Sequence, residues 1–474
     1  IESSNHFPGT AYLSATKYKL GDNAPMLYMT EDYGDTWLKI NGNLPDNDFT
    51  RCIREDPVRP KMIYVGTETK LYVSFNDGNI WSDLGGENRI GKSSLPVVPI
   101  YDMQIKNDDL IAATHGRSFW ILDDLSQLRQ VPEMEIHHDP QILKPRSTVR
   151  PLAPLTGTKK STASEGKNYN MALGGAAYIE TNNDHGGVDR QFLDAGENPI
   201  EGVIINYFLP DEINEEISLV FSDHTGVSII TYSSGFEGDK DPEDDDTTNF
   251  ISSKIGMNQF VWDMRYPPAN KVPDDKTTEA RVVSGPLASP GQYSVTLKAL
   301  GVEESKSFEI IKDPRVQATQ KDLDDQFEFL MTIRDRLSET HDAINRLRSV
   351  RYQVNEWTQR AIDHPSESLV KEAAKNIEAK LSSVEEELIQ TAYEGQRDRL
   401  NLPTRLNNKL SEISSVVSSG DFAPTKQSYE VFRVISDEIE PHLVALQDTM
   451  DNDISDFDNL VHELGIPAIV GRPS

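Results

Sequence analysis

The chain has 474 residues, and 47 Lys or Arg against 77 Asp or Glu give it a formal net charge of −30 at pH 7. A field of this sign repels nucleic acid and anionic membrane surfaces; it suits a cationic partner or Ca²⁺, and a solvated acidic surface is the simpler interpretation. The single cysteine, Cys52, excludes an intrachain disulfide, and no apolar run reaches the roughly 18 residues of a membrane-spanning helix.

The first part of the chain, residues 1–140, has the pattern of short strands separated by turns. At about 100–200 residues per domain, the whole length predicts about three domains, of which this is the first. Its apolar runs are bounded by Gly, Asp, Asn or Pro, which is typical of strands and turns. The predicted strands are 11–13, 26–29, 62–65, 71–74, 110–113 and 119–122.

Two turns in this part repeat the motif S/T-x-D-x-G-x-x-W. Thr30–Trp37 and Ser74–Trp81 match it 44 residues apart, with Asn in the Asp position of the second copy. This spacing is typical of propeller blades. The Asp or Asn caps backbone N–H groups, the Gly adopts a conformation that other residues resist, and the Trp packs the turn onto its blade. We therefore interpret the motif residues as structural: Thr30, Asp32, Gly34, Trp37, Ser74, Asn76, Gly78 and Trp81.

A third turn, around Gly116, follows the strand at 110–112 and has two interpretations. In the functional one, a pocket at the propeller axis is formed by His115, Arg117, Trp120 and Asp123. In the structural one, the same residues hold neighbouring blades together. Asp123 and Asp124 are adjacent, so on a strand they point to opposite faces, which argues against them as the two carboxylates of a glycosidase.

The middle of the chain divides into a connector at 141–195 and a second β region at 196–312. The connector is rich in Pro, then in Ser, Thr, Gly and Lys. About six short strands over the next region predict a β-sandwich. An acidic run interrupts it, and the oxygen atoms of Asp239, Asp241, Asp244 and Asp246 suit weak Ca²⁺ binding. Ca²⁺ is the one cofactor that the sequence suggests, and a solvated charge run is the alternative.

The last part, residues 313–474, changes to a period of 3.6 residues. Apolar stripes separated by breaks at 364–365, 402–403 and 420–424 predict a four-helix region, arranged as an antiparallel bundle. The fold class predicted for the whole chain is therefore multidomain β plus α: partial propeller blades, an immunoglobulin-like β-sandwich and a C-terminal helical bundle.

Several segments resemble one bacterial family. These are the two motifs above, the segment 54–59, ATHGRSFWILDD at 113–124, NYFLP at 206–210, FVWDMRYP at 260–267, GPLA at 285–288 and LGIP at 464–467. Together they resemble the C-terminal portion of sortilin-like Asp-box (BNR) repeat β-propeller proteins, often labelled glycosyl hydrolases.

The resemblance implies a propeller of many blades, of which this chain holds the last two or three. The remaining blades are then expected upstream, in the same polypeptide or in a separate chain. It also implies an extracytoplasmic location, which is periplasmic, cell-surface or secreted.

Two functions follow from the resemblance and the residues. In the first, the chain is a binding or scaffold protein with a protein or glycan ligand and without its own catalytic set. In the second, it belongs to a sialidase-like glycoside hydrolase whose active site lies at the propeller axis, mostly on blades outside this chain.

Overall fold

A computed structural model describes the chain in a series of ranges. They are 1–85, 95–133, 139–150, 166–169, 177–182, 188–192, 201–211, 213, 215–235, 250–275, 277, 284–394 and 398–467. Between 166 and 192 the backbone pairing of the strands is described, and little is described of their side chains. The predicted succession of β-rich sequence followed by helices is confirmed.

Three antiparallel sheets follow one another in the first part of the chain. The first sheet consists of β1 (Glu2–Ser3), β2 (Ala11–Lys17), β3 (Asp22–Thr30) and β4 (Leu38–Lys39). The second sheet consists of β5 (Thr50–Glu55), β6 (Ile63–Thr67), β7 (Leu71–Ser74) and β8 (Ser82–Asp83). The third sheet consists of β9 (Ile100–Lys106), β10 (Asp109–Thr114) and β11 (Phe119–Leu122). Every predicted strand of this part lies within or overlaps one of these strands.

The second sheet is buried on both faces. Along β6, Ile63 and Val65 pack into a core shared with the first sheet, whereas Tyr64 belongs to a core shared with the third sheet. All five residues of β6 are buried. This is the expected result when successive side chains of a strand alternate between two covered faces. The three sheets therefore form a stack, with the second sheet in the middle.

Two further sheets enclose one core in the middle of the chain. One consists of β12 (Gln141–Ile142), β17 (Val203–Leu209) and β20 (Gly256–Trp262). The other consists of β13 (Thr148–Val149), β18 (Ser218–Asp223), β19 (Ser228–Ser233), β21 (Gly291–Ala299) and β22 (Val302–Ile311). Residues of both sheets surround Phe221 and Trp262, whose ring centroids are 4.7 Å apart.

The predicted connector contributes strands to these sheets. β12 pairs with β17, and β13 pairs in parallel with β22, about 160 residues further along the chain. It also contains a separate antiparallel sheet of β14 (Gly166–Tyr169), β15 (Ala177–Asn182) and β16 (Val188–Phe192). The sequence pattern does not indicate these strands, because they are short and because their pairing partners are not set by local sequence.

The helical part begins after Thr319, whose side chain caps the first long helix in a capping box with Asp322. A short helix, α1 (Leu125–Leu128), precedes it after the third sheet. The helices are α2 (Gln320–Arg360), α3 (Glu367–Leu388), α4 (Leu406–Val417), α5 (Lys426–Asp448) and α6 (Ile454–Glu463), with one π-helical segment, Thr449–Asp453, between the last two. They share one apolar core. No helix within the described ranges is both long and apolar enough to cross a bilayer.

An extended segment, which we call the strap and define as residues 267–275, joins the second β region to α2. Side chains along α2 hold its backbone: Arg334 donates to Pro267 O, Asn345 to Lys271 O and Arg348 to Pro273 O. Ala269 and Val272 of the strap enter the helical core. The strap therefore fixes α2 against the second β region.

Candidate functional site

The first Asp-box turn connects β3 to β4. Thr30 Oγ1 accepts a hydrogen bond from Gly34 N (2.9 Å) and donates to Asp32 Oδ1 (2.8 Å). Asp32 also accepts from the backbone N–H and the hydroxyl of Thr36, and these bonds, with that from Thr30, lower the pKa of Asp32 to about 2. Trp37 Nε1 donates to Gly34 O within the same turn.

The second turn connects β7 to β8 with the same pattern. Ser74 Oγ accepts from Gly78 N (2.9 Å) and donates to Asn76 Oδ1 (3.0 Å), and Asn76 Oδ1 accepts from Ile80 N (2.9 Å). The amide oxygen of Asn76 thus replaces a carboxylate oxygen in this role. In both turns the Thr or Ser hydroxyl bonds the Gly N–H and the Asp or Asn side chain of the motif.

The two tryptophans of these turns differ in their surroundings. Trp81 is 3% exposed and its Nε1 donates to Ile40 O, in the segment that follows the first sheet. Trp37 is 40% exposed, and among the described residues its Nε1 bonds within its own turn, to Gly34 O. The second turn therefore packs on the preceding sheet, whereas no described residue covers Trp37 in the corresponding way.

Two adjacent carboxylates, Glu55 and Asp56, are buried at the end of β5, Glu55 beside the first sheet and Asp56 beside Arg129, which follows the third sheet. Glu55 accepts from Ser4 Oγ (3.0 Å) and the backbone of Asn5 (2.7 Å). Asp56 accepts from Arg129 Nε (2.9 Å) and Tyr64 OH (3.1 Å). Both residues are at most 2% exposed. This pair joins chain segments and does not line an open cleft.

The third turn connects β10 to β11 and contains two of the predicted site residues. His115 and Arg117 are exposed, and Arg117 N donates to Thr114 Oγ1 (3.2 Å). Trp120 is half-buried against the core between the second and third sheets, and its Nε1 donates to Arg117 O (3.0 Å). Trp120 therefore supports the turn.

A row of stacked side chains crosses all three sheets at the end where this turn lies. We call it the ring row and define it as Tyr18, Phe49, Arg51, Tyr101 and His115. Tyr18 and Phe49 stack at 4.8 Å between centroids, and Tyr101 and His115 stack at 4.8 Å. The Arg51 guanidinium lies between the two pairs, 5.0 Å from the Phe49 ring and 4.1 Å from the Tyr101 ring. Tyr18 is 39% exposed and Tyr101 47% exposed, so the row reaches the surface.

Contacts between neighbouring sheets place the β2–β3, β6–β7 and β10–β11 turns together at this end, which we call the turn end. Tyr18 stacks on Phe49, and Val98 N donates to Thr69 O. Within the third sheet, His115 N donates to Pro99 O. Glu68 pairs with Arg51 at 2.5 Å. The Asp-box turns are at the other ends of β3 and β7.

Asp123 lies away from the other predicted site residues. It follows β11, whereas His115 and Arg117 precede that strand, so a full strand length separates them. Burial raises the pKa of Asp123, and the nearby Asp109 carboxylate raises it further. The structure therefore brings His115 and Arg117 into one turn, supported by Trp120 of β11, and leaves Asp123 at the opposite end of the hairpin.

Four members of the ring row were missed in the sequence: Tyr18, Phe49, Arg51 and Tyr101. They come from three different sheets, and no motif links them along the chain. A usable signal exists in their positions, because each lies beside the start or end of a strand at the turn end. Only the strand assignment together with the sheet order would have shown this.

The predicted Ca²⁺ ligands Asp239, Asp241, Asp244 and Asp246 lie outside the described residues. Within those residues, no group of three or more His, Cys, Asp or Glu side chains is arranged to hold a metal ion. Ca²⁺ binding by the acidic run stays a prediction.

Comparison with known proteins does not assign this chain to a family. No protein-family model matches the chain, and no curated protein sequence matches it. Among solved structures, the crystal structure of an ancestral GH74 enzyme is similar at 13% identity with a TM-score of 0.19. The match covers 64% of this chain and 47% of that one, so this chain spans about half the length of the enzyme. A TM-score this low supports no inference about shared structure or activity.

Proposed function

We propose that the chain is the C-terminal part of an extracytoplasmic, sortilin-like Asp-box propeller protein that acts by binding. In this proposal the three stacked sheets are consecutive blades, the following region is an immunoglobulin-like sandwich, and the helices form an antiparallel bundle. The observation that carries it is the contrast between Trp81, buried on the preceding sheet, and Trp37, exposed in the equivalent position of the first sheet. A further blade packed before the first sheet would cover Trp37 as the first sheet covers Trp81.

The outer faces of the stack support the same conclusion. On the third sheet, Phe119 is 71% and Ile121 57% exposed, although Trp120 and Leu122 on the other face pack inward. On the first sheet, Leu13 and Tyr28 face away from the second sheet and are only half-buried. Apolar faces at both ends of a stack are typical of an open set of repeats, and further blades would bury them.

Association in solution tests this proposal. By sedimentation velocity, we expect the isolated chain to self-associate as its concentration rises, because uncovered apolar faces find one another. Ile121→Lys should shift the population towards monomer, whereas Val444→Lys, at an exposed valine of α5, should not. A wild-type chain that stays monomeric at high concentration and binds no apolar dye would contradict the proposal.

The glycoside hydrolase is the alternative that the family resemblance implies. Near the ring row, Glu68 is paired with Arg51, and Asp48 is 4% exposed with Oδ2 accepting from the Thr67 and Thr69 hydroxyls. Neither carboxylate is free in an open cleft. Hydrolysis of a glycan by the chain, abolished in Glu68→Gln, would decide for the hydrolase.

A further inference from the structure

We propose that the turn end of the three sheets binds oligosaccharides built of uronic acids, with the ring row as the contact surface. This site is separate from the outer faces of the stack, and the inference does not depend on how those faces are covered.

Each end of the ring row has an exposed ring with a cationic side chain nearby in the sequence. At one end, the exposed Tyr18 ring has the Lys19 ammonium 6.0 Å from its centroid. At the other end, the exposed His115 is two residues from the exposed Arg117. Each end thus combines a flat ring with a cation, and the other three members of the row connect them.

Three cationic side chains at this end form no ion pair with a described carboxylate. Among the residues that the structure describes, the side chains of Lys17, Lys19 and Arg117 pair with no carboxylate, whereas Arg51 is paired with Glu68 and Lys70 with Asp83. In a chain with a net charge of −30, three unpaired cations around one aromatic surface favour an anionic ligand.

The ring row also fastens the three sheets, but fastening does not require every member. Phe49 is buried, and Arg51 lies between Phe49 and Tyr101, so these residues account for the cohesion. His115 and Lys19 are exposed at the ends, where they add little contact between sheets. Because Tyr18 and His115 are both exposed, part of each end ring stays accessible to a ligand.

Each sugar unit of a uronic acid oligosaccharide carries the groups that match this surface. Its ring presents C–H groups that pack on an aromatic side chain, its carboxylate pairs with Lys or Arg, and its hydroxyls donate hydrogen bonds. Glu68, whose side chain is 35% exposed, can accept from such hydroxyls. Near the Glu68 carboxylate, a nucleic acid presents more negatively charged phosphates than hydroxyl donors. An acidic peptide lacks a flat ring beside each charge.

Binding of short oligogalacturonates, measured by isothermal titration calorimetry, tests the inference. The matched ligand is the methyl ester of the same oligomer, which keeps the ring and removes the charge. We expect the acid to bind and the ester to bind at least tenfold more weakly. Equal binding of the two, or no binding of the acid at millimolar concentration, would overturn the inference.

Variants locate the site on the chain. Lys19→Gln and Arg117→Gln should each weaken binding five- to tenfold, and His115→Ala should weaken it without affecting folding because His115 is exposed. Lys375→Gln, an exposed lysine of α3, is the control and should leave binding unchanged. An equal effect of Lys375→Gln would show that the whole surface attracts the ligand, which would contradict a site.

Two further ligands test the chemical class. Oligothymidylate and polyglutamate of matched charge should bind more weakly than the oligogalacturonate. Equal or tighter binding of either one, lost in Arg117→Gln, would replace the uronic acid class. Because this assay reads ligand binding and the sedimentation assay reads association, failure of one proposal leaves the other standing.

Discussion

The two motif turns show that tryptophans at equivalent positions can contribute differently to the stability of the fold. Both tryptophans occupy the same position of the same motif, but Trp81 lies in the core between the first and second sheets, and Trp37 is at the surface. A large ring removed from a packed core costs the transfer free energy of the ring and leaves a cavity, whereas an exposed ring costs little.

Trp81→Ala is therefore expected to lower the free energy of unfolding by about 3–5 kcal/mol. Trp37→Ala in the isolated chain should lower it by about 1 kcal/mol or less, since its ring is 40% exposed. Urea denaturation of both variants measures this difference. Equal losses would show that Trp37 is already packed as Trp81 is, and would remove the main support for a missing blade.

The two turns also differ in acid sensitivity. Since the pKa of Asp32 is lowered to about 2 by its hydrogen bonds, the folded chain holds this carboxylate ionised more strongly than the unfolded chain does. Its stabilising effect is present above the ordinary pKa of 3.8 and is lost as the pH falls towards 2.

Asp32→Asn should fold, because Asn76 already performs the same role in the second turn. It should also remove part of the fall in melting temperature between pH 4 and pH 2. Thermal unfolding by circular dichroism across this pH range measures the effect. Asp223→Asn should act in the same direction, because the hydrogen bond from the Thr225 hydroxyl also lowers the pKa of Asp223. If Asp32→Asn and wild type lose stability in parallel, the hydrogen bonds of Asp32 contribute nothing to acid sensitivity.

At the scale of elements, the strap shows how a segment without regular structure can join two regions. His341 of α2 is 1% exposed, and its Nδ1 lies 2.6 Å from Asn270 O of the strap. Burial lowers the pKa of His341 below 6.5, although the Asn270 carbonyl and the carboxylates of Asp275 and Asp342 act in the opposite direction.

Because the folded chain binds this proton less readily than the unfolded chain, the free energy of unfolding should decrease as the pH falls below about 6.5. His341→Asn, which keeps a donor near Asn270 O, should reduce this decrease. His224→Asn, at an exposed histidine, should leave it unchanged. Urea unfolding at pH 7.5 and pH 5.0 compares the three chains, and an unchanged pH dependence in His341→Asn would contradict this account.

Most strands and helices were predictable, because the spacing of apolar residues and the Gly, Asp, Asn or Pro residues at element boundaries are local features of the sequence. β17, β21 and the helices on either side of 364–365 follow from alternation, from the 3.6-residue stripe and from the proline at 365. The parallel pairing of β13 with β22 was not predictable, since two residues of strand carry no pattern that selects a partner so far along the chain. The ring row was missed for the same reason: His115 and Arg117 stand in a recognisable turn, but the residues that stack beside them come from other sheets.

At the scale of the whole molecule, the order of the sheets determines which surfaces need a partner. The second sheet is covered on both faces, and the first and third sheets are each covered on one. The outer faces of the stack and the turn end are different surfaces, so one molecule can hold further blades and bind a ligand at the same time. This arrangement is compatible with the proposed binding protein, in which upstream blades would complete a propeller.

The reactivity of an introduced cysteine at position 121 tests that claim most directly. The native Cys52 is buried and its burial raises the thiol pKa to about 12, so a maleimide reacts with the introduced thiol. At concentrations low enough to keep the isolated chain monomeric, Ile121→Cys should react rapidly, and it should react at least tenfold more slowly when upstream blades are supplied in the same polypeptide or as a second chain. Tyr352→Cys on α2 should react equally fast in both cases. If Ile121→Cys reacts at one rate with and without those blades, the outer face of the third sheet is not where the propeller continues.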